Sequence, residues 1–185
     1  MTRIAVRRLT GFDTLVGKSG GLRDFPKFMA AVEEAPSGDT VVLDWSGIEV
    51  VTASYLAATF GTVLRMAMAG DLDRYFVVVG LNKAGVDELT LVVKVQGLVA
   101  LVGNLDKDGS VHDVCPLGSL DRSYAETLNA VQKAKTASAI DLYERFRTRT
   151  RIGKTAWINR LSNLHRLRLI RKQRIGRQYV FETVS

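Results

Sequence analysis

Residues 155–181 read TAWINRLSNLHRLRLIRKQRIGRQYVF, an apolar ladder set among basic residues near the end of the chain. A helical step of about 100° per residue places Trp157, Ile158, Leu164 and His165 within about 60° of Leu161, so one side is expected to be core. The other side carries Thr155, Ala156, Asn159, Asn163 and Arg166, with Arg160 and Ser162 at its borders. Upstream, SAIDLYERFR (138–147) spaces Ile140, Tyr143 and Phe146 as a helix does, and RTRTRIGK (147–154) supplies a glycine and several cations as a connection. Downstream, LRLIRKQ and QYVFETV have the composition of short strands, and Gly176 in RIGR (174–177) suits a tight hairpin turn.

Charge divides the chain in the same place. Residues 1–131 hold 12 Lys/Arg against 16 Asp/Glu, or −4, whereas residues 132–185 hold 14 against 3, or +11. Two regions with different partners are expected, and the basic one should draw in a polyanion, of which nucleic acid is the usual intracellular example. Asn159, Asn163 and Arg160 suit base edges, because Asn pairs bidentately with adenine and Arg with guanine. Arg149, Arg151, Lys154, Arg166, Arg174 and Arg177 suit phosphates, and Thr155 belongs to the same polar face. Any single arginine on such a surface is by default a solvated charge, so the reading rests on the ensemble. Trp157 and His165 fall on the apolar side and are expected to be packed.

The stretch SNLHRLRLIRKQRIGRQYVF (162–181), following two helices, resembles the end of winged helix-turn-helix domains, where a recognition helix runs into a hairpin wing. The resemblance implies double-stranded DNA as partner, with helix 154–167 in a major groove and the hairpin tip on backbone or minor groove. The chain departs from that pattern twice: its helix-to-helix connection is longer than in compact repressors, and Arg168 stands where many such domains have glycine.

Before residue 120, apolar runs alternate with helical patterns, which points to an α/β layer. Strands are expected at 3–9, 40–46, 75–80 and 98–103, and helices at 22–35, 52–69 and roughly 83–96. Leu56, Phe60, Val63, Leu64 and Ala67 form the stripe of a helix lying on a sheet. NLDKDGSVHDV (104–114) is expected to be a hairpin turned at Asp108-Gly109. VVLDWSGIEVVTASYLAATFG (41–61) and GLNKAGVDELTLVVKVQGLVALVG (80–103) resemble the STAS-like domains related to anti-sigma-factor antagonists. That resemblance implies a non-catalytic fold binding a protein partner, its own copy or a small ligand near 47–55. Where the antagonists carry an Asp, a phosphorylatable Ser and another Ser, this chain has Thr52-Ala53-Ser54, so the acceptor position is Ala53. Thr52 and Ser54 remain as candidate partner or ligand residues, and the simpler expectation is that they cap a helix N-terminus. An anion attracted to that N-terminus is a further expectation.

The domain plan is therefore a STAS-like α/β domain over 1–120, a connecting helix or linker over 121–135, and a winged helix-turn-helix over 136–185. Other chemistries fail on spacing. Gly17-Lys18-Ser19 lacks the first glycine of a phosphate loop, since Phe12 stands there, and Gly153-Lys154-Thr155 has Thr148 in that place. The two glycines before the helix at 22–35 are expected to form a flexible connection. Cys115 and His112 cannot close a metal site by themselves, and Asp106-Lys107-Asp108-Gly109 has the composition of a turn rather than a calcium loop. With two histidines and no declared carboxylate pair, no enzyme, cofactor or metal is expected. One cysteine and no apolar run after MTRIAVRR suggest a cytoplasmic chain, and the longest apolar tract, 89–103, is broken by Lys94, Gln96 and Gly97 and is too short for a membrane helix.

The expected function is a DNA-binding, transcription-regulating protein of prokaryotic type, with a homodimer as a further expectation because such readers commonly bind paired half-sites. The alternative is a partner-switching adaptor in which the STAS-like domain docks on a kinase-like or sensor protein. RNA binding through the same basic surface stays open, although few exposed aromatics are available for stacking.

Overall fold

A computed structural model describes residues 1–148 and 150–184, which divide into two compact units, Met1–Ser119 and Leu120–Val184. The chain is α/β, with a mixed sheet in the first unit.

In the first unit, β1 (Thr2–Ala5) leads into α1 (Val6–Thr10), β2 (Thr14–Leu15) and α2 (Gly17–Glu33). Next come β3 (Thr40–Asp44), β4 (Val50–Val51), α3 (Ala53–Ala58) and α4 (Phe60–Ala69). The unit ends with β5 (Tyr75–Val79), α5 (Lys83–Gln96), β6 (Val99–Leu105) and β7 (Val111–Gly118). The main sheet has the order β1-β3-β5-β6-β7, parallel throughout except for the antiparallel β6-β7 hairpin. β2 and β4 form a separate parallel pair. All five residues of β3 and of β5 are buried, as expected of strands inside a parallel sheet. Phe28 and Val32 of α2, Tyr55 and Leu56 of α3, Phe60, Val63 and Leu64 of α4, and Leu89 and Val93 of α5 pack with Val41, Leu43, Trp45, Phe76 and Val78. Asn82 caps α5 by accepting from the Gly85 N–H at 2.8 Å, and Gly97 at φ 64° ends it.

Three expectations change here. The strand at 3–9 stops at Ala5, and Val6–Thr10 turns into a short helix that Gly11 closes at φ 80°, burying Val6. Alternation over seven residues does not distinguish these outcomes, because a single helical turn buries Val6 as well as a strand would.

The helix at 22–35 begins earlier, and Gly20 and Gly21 lie inside it rather than in a flexible connection. A Cβ on Gly21 would stand 2.7 Å from the Ala58 Cβ and 2.9 Å from the Tyr55 carbonyl oxygen, so glycine lets α2 and α3 approach.

The helix at 52–69 is two helices, divided at Thr59, whose φ −105° and ψ −94° leave the helical region. Its hydroxyl donates to the Tyr55 carbonyl at 2.9 Å, the kind of back-bonding that bends helices.

The second unit opens with α6 (Arg122–Ala134) and β8 (Thr136–Ala137), followed by α7 (Ala139–Phe146), α8 (Lys154–Arg166), β9 (Ile170–Ile175) and β10 (Gln178–Thr183). Its antiparallel sheet has the order β8-β10-β9. Residues 122–134 are thus a regular helix, and they bury Thr127, Leu128, Ala130 and Val131. A reciprocal capping box starts α7: the Ser138 hydroxyl accepts from the Asp141 N–H, and the Asp141 carboxylate accepts from the Ser138 N–H. Phe146 stacks on Trp157 with ring centroids 5.6 Å apart, which seats α7 against α8.

Candidate nucleic-acid interface

Trp157, Leu161 and Leu164 are buried along one side of α8. Lys154, Thr155, Asn159, Ser162 and Arg166 are exposed on the rest of its surface. His165 is half-buried, with Nδ1 3.4 Å from the Ile170 carbonyl oxygen, consistent with the packed histidine expected of it.

Two residues expected at base edges have partners within the unit. The Asn163 amide donates to the Tyr124 hydroxyl at 3.0 Å, so its side chain is turned toward α6. Arg160 is half-buried, with its guanidinium carbon 5.6 Å from the Trp157 ring centroid. The Asp121 carboxyl is held below the usual carboxylate range, chiefly by hydrogen bonding from Ser123, with Arg160 adding a smaller favourable charge. Asn159 is the exposed amide of the helix. Ile158 departs from its expected place in the other direction: periodicity puts it on the core side, yet it is 44% exposed. It stands at the margin of the apolar arc, where neighbouring elements decide what is covered.

The hairpin β9-β10 carries the remaining cations. Ile175 and Gln178 are cross-strand partners, so Gly176 and Arg177 form a two-residue turn with Gly176 at φ 61°. Arg174 and Arg177 are exposed there, and the Arg174 Nε–H donates to the Gly176 carbonyl at 3.2 Å. Arg151 is exposed before α8, while Arg149 lies outside the described residues. Among the described residues, Arg151, Lys154, Arg166, Arg174 and Arg177 enter no ion pair. The span Leu120–Val184 holds 15 Lys/Arg against 5 Asp/Glu, or +10. A net positive charge of this density creates the positive potential that phosphates neutralise.

Arg168, just past the end of α8, adopts φ 61°, the left-handed conformation that glycine would supply without steric cost.

The loop before α3 differs from expectation. The Thr52 side chain makes no capping bond to its own helix. Its hydroxyl accepts instead from the Gly17 N–H at 3.0 Å, tying α2 to α3, and lies 3.2 Å from the Ser54 hydroxyl. The Ala53 N–H, in the first turn of α3, donates to the Glu88 carboxylate on α5 at 2.5 Å. The favourable place for an anion at the start of α3 therefore holds a carboxylate of the chain itself. Sequence reasoning missed Glu88 because it lies 35 residues away.

Sequence reasoning also missed Asp24. It is fully buried on α2, accepts from the Tyr55 hydroxyl at 3.0 Å, and lies 3.4 Å from Arg23 and Lys27. Burial opposes its ionisation, but hydrogen bonds from Arg23, Tyr55 and Lys27 outweigh that and hold the carboxyl below its usual range. Burial and the same bond push the Tyr55 phenol well above its usual range.

His112 is held by Asp113 at 2.9 Å and Asp106 at 3.1 Å in the turned hairpin, and Gly109 takes φ 87°. Among the described residues, no group of three or more His, Cys, Asp or Glu is placed to hold a metal ion, and no helix is long and apolar enough to cross a membrane. No family model, curated protein or solved structure matches the chain.

Proposed function

We propose that the chain is a DNA-binding regulator in which the second unit holds double-stranded DNA and the first, STAS-like and non-catalytic, senses, oligomerises or recruits. The observation that carries this reading is the exposed row Thr155, Asn159, Ser162 and Arg166 on α8, in the same unit as a hairpin with Arg174 and Arg177 at its turn. The order helix, strand, helix, helix, strand, strand is that of winged helix-turn-helix domains, and it supports assigning α8 as recognition helix and β9-β10 as wing. Asn159 would read bases, with Arg151, Lys154, Arg166, Arg174 and Arg177 on phosphates.

The test is selection from a randomised duplex pool by the full-length chain at about 150 mM salt, near physiological ionic strength. The combined variant Thr155→Ala, Asn159→Ala, Arg166→Ala serves as comparison. Enrichment of one motif by the parent chain and its loss in the variant is the expected result. Binding without enrichment that vanishes as salt rises would reduce the reading to unspecific attraction.

A second reading, a partner-switching adaptor, draws on a groove of about 520 Å³ in the first unit lined by Lys18, Leu22, Ser54 and Arg65. Exposed Leu22 beside two cations would suit a partner segment that is apolar and acidic. Under that reading Leu22→Asp abolishes partner binding and leaves any DNA binding untouched.

A further inference from the structure

Ile158 is the exposed large aliphatic side chain of α8, on a helix whose other exposed positions are polar or basic. It lines a groove of about 290 Å³ between α8, the start of α7 and the hairpin, together with Ile140, Tyr179 and Phe181, and with Lys154 and Lys172. The Lys172 ammonium lies 3.9 Å from the Tyr179 ring centroid, so the cation and the aromatic form one surface. A duplex laid on both α8 and the hairpin would cover this groove, since residues of both elements line it. Its phosphates would meet the two lysines, and the apolar wall would face whatever apolar group the duplex offers. In the major groove that group is the thymine C5-methyl. Ile158 adjoins Asn159 in sequence and lies about one helical turn from Thr155 and Ser162, so a base step presented to Asn159 has a neighbour within reach of Ile158.

Resting on the DNA-binding reading above, we propose that Ile158 is a specificity-determining residue that reads a thymine methyl group. The site's sequence preference then contains a thymine chosen by apolar contact beside a base chosen by the Asn159 amide. A protein segment that is acidic and apolar is the competing occupant of the same groove.

The test selects a motif from a randomised thymidine-containing duplex pool with the full-length chain. Each thymine of the enriched duplex is then replaced in turn by deoxyuridine, which removes only the methyl group. Replacement at one position is expected to weaken binding about fourfold, the value of one buried methyl. In Ile158→Ala that position should become indifferent to the methyl group while the other preferences persist. Ile158→Val should keep a reduced effect, which separates methyl recognition from general damage to the helix. Equal affinity for thymine and uracil at every position would overturn the proposal but leave the DNA-binding reading intact, and so would a methyl effect that survives Ile158→Ala. No enriched motif at all would overturn both, and Ile158 would then belong with the protein-docking alternative.

Discussion

The Asn163 amide donates to the Tyr124 hydroxyl across 3.0 Å, joining α8 to α6 inside the second unit. One helical turn earlier, Asn159 is exposed on the same helix. Two asparagines of one helix thus differ in surroundings: Asn163 ties two elements of the unit together, and Asn159, exposed, is the amide that the proposed reading offers to bases.

Their alanine variants should separate. Asn163→Ala is expected to lower stability by about 0.5–1.5 kcal/mol, the net value of a hydrogen bond, while base preference persists. Asn159→Ala should change stability by less than about 0.5 kcal/mol and lose about 1–3 kcal/mol of discrimination at one base pair. Thermal denaturation and competition binding with a selected duplex check the two halves.

The exposed cations that enter no ion pair predict the salt dependence of binding. Single alanine substitutions at Arg151, Lys154, Arg174 and Arg177 should weaken binding to all duplexes alike. Each should also make the slope of log K against log[salt] shallower by about 1. Titrations between 50 and 200 mM salt, about the range over which such slopes are read, test this. A substitution that alters the preferred motif instead would reassign its residue to base reading.

Gly20 and Gly21 are neighbours with opposite expected effects. Gly21→Ala forces a methyl against Ala58 and the Tyr55 carbonyl and should cost about 1–3 kcal/mol. Gly20→Ala meets nothing closer than the Tyr55 ring at 3.5 Å, ordinary contact, and should stabilise α2 by about 0.5–1 kcal/mol. Trp45 fluorescence in a Trp157→Phe background reads the first unit, since the chain has 2 tryptophans.

The Asp24–Tyr55 pair predicts a two-sided pH dependence of that unit's stability. The Asp24 carboxyl is held below its unfolded value, so its contribution is present above about pH 4 and is lost as pH falls through the folded value. The Tyr55 phenol is raised, so its contribution is present below about pH 10 and declines as pH rises beyond it. Tyr55→Phe should remove the alkaline decline and leave Asp24 with one fewer hydrogen bond. Denaturant unfolding across a pH series, with Asp24→Asn as partner variant, measures both limbs.

Lys135 ends α6 at φ 64°, ψ −47°, a conformation rare for any residue with a Cβ. Lys135→Gly should stabilise the second unit by about 1 kcal/mol, measured as an increase in Tm.

Much of the fold was legible in the sequence because it depends on local properties. The buried strands 40–44 and 75–79 announce themselves as apolar runs between turn residues, and α5 agrees with its expected bounds because Asn82 and Gly97 bracket it. Gly109 and Gly176 mark the two hairpin turns because a positive φ is readily taken by glycine. The division of charge needs only counting.

Tertiary structure alone decided what surrounds each side chain. Whether Asn163 meets a duplex or Tyr124, whether the start of α3 awaits an anion or holds Glu88, and whether Ile158 is core or groove wall depend on chain segments far away in sequence. Periodicity states which residues share a helix face, but burial and hydrogen bonding are set by the elements packed against that face. Glu88 lies 35 residues from Ala53 and Tyr124 lies 39 from Asn163, separations at which no local pattern records the contact.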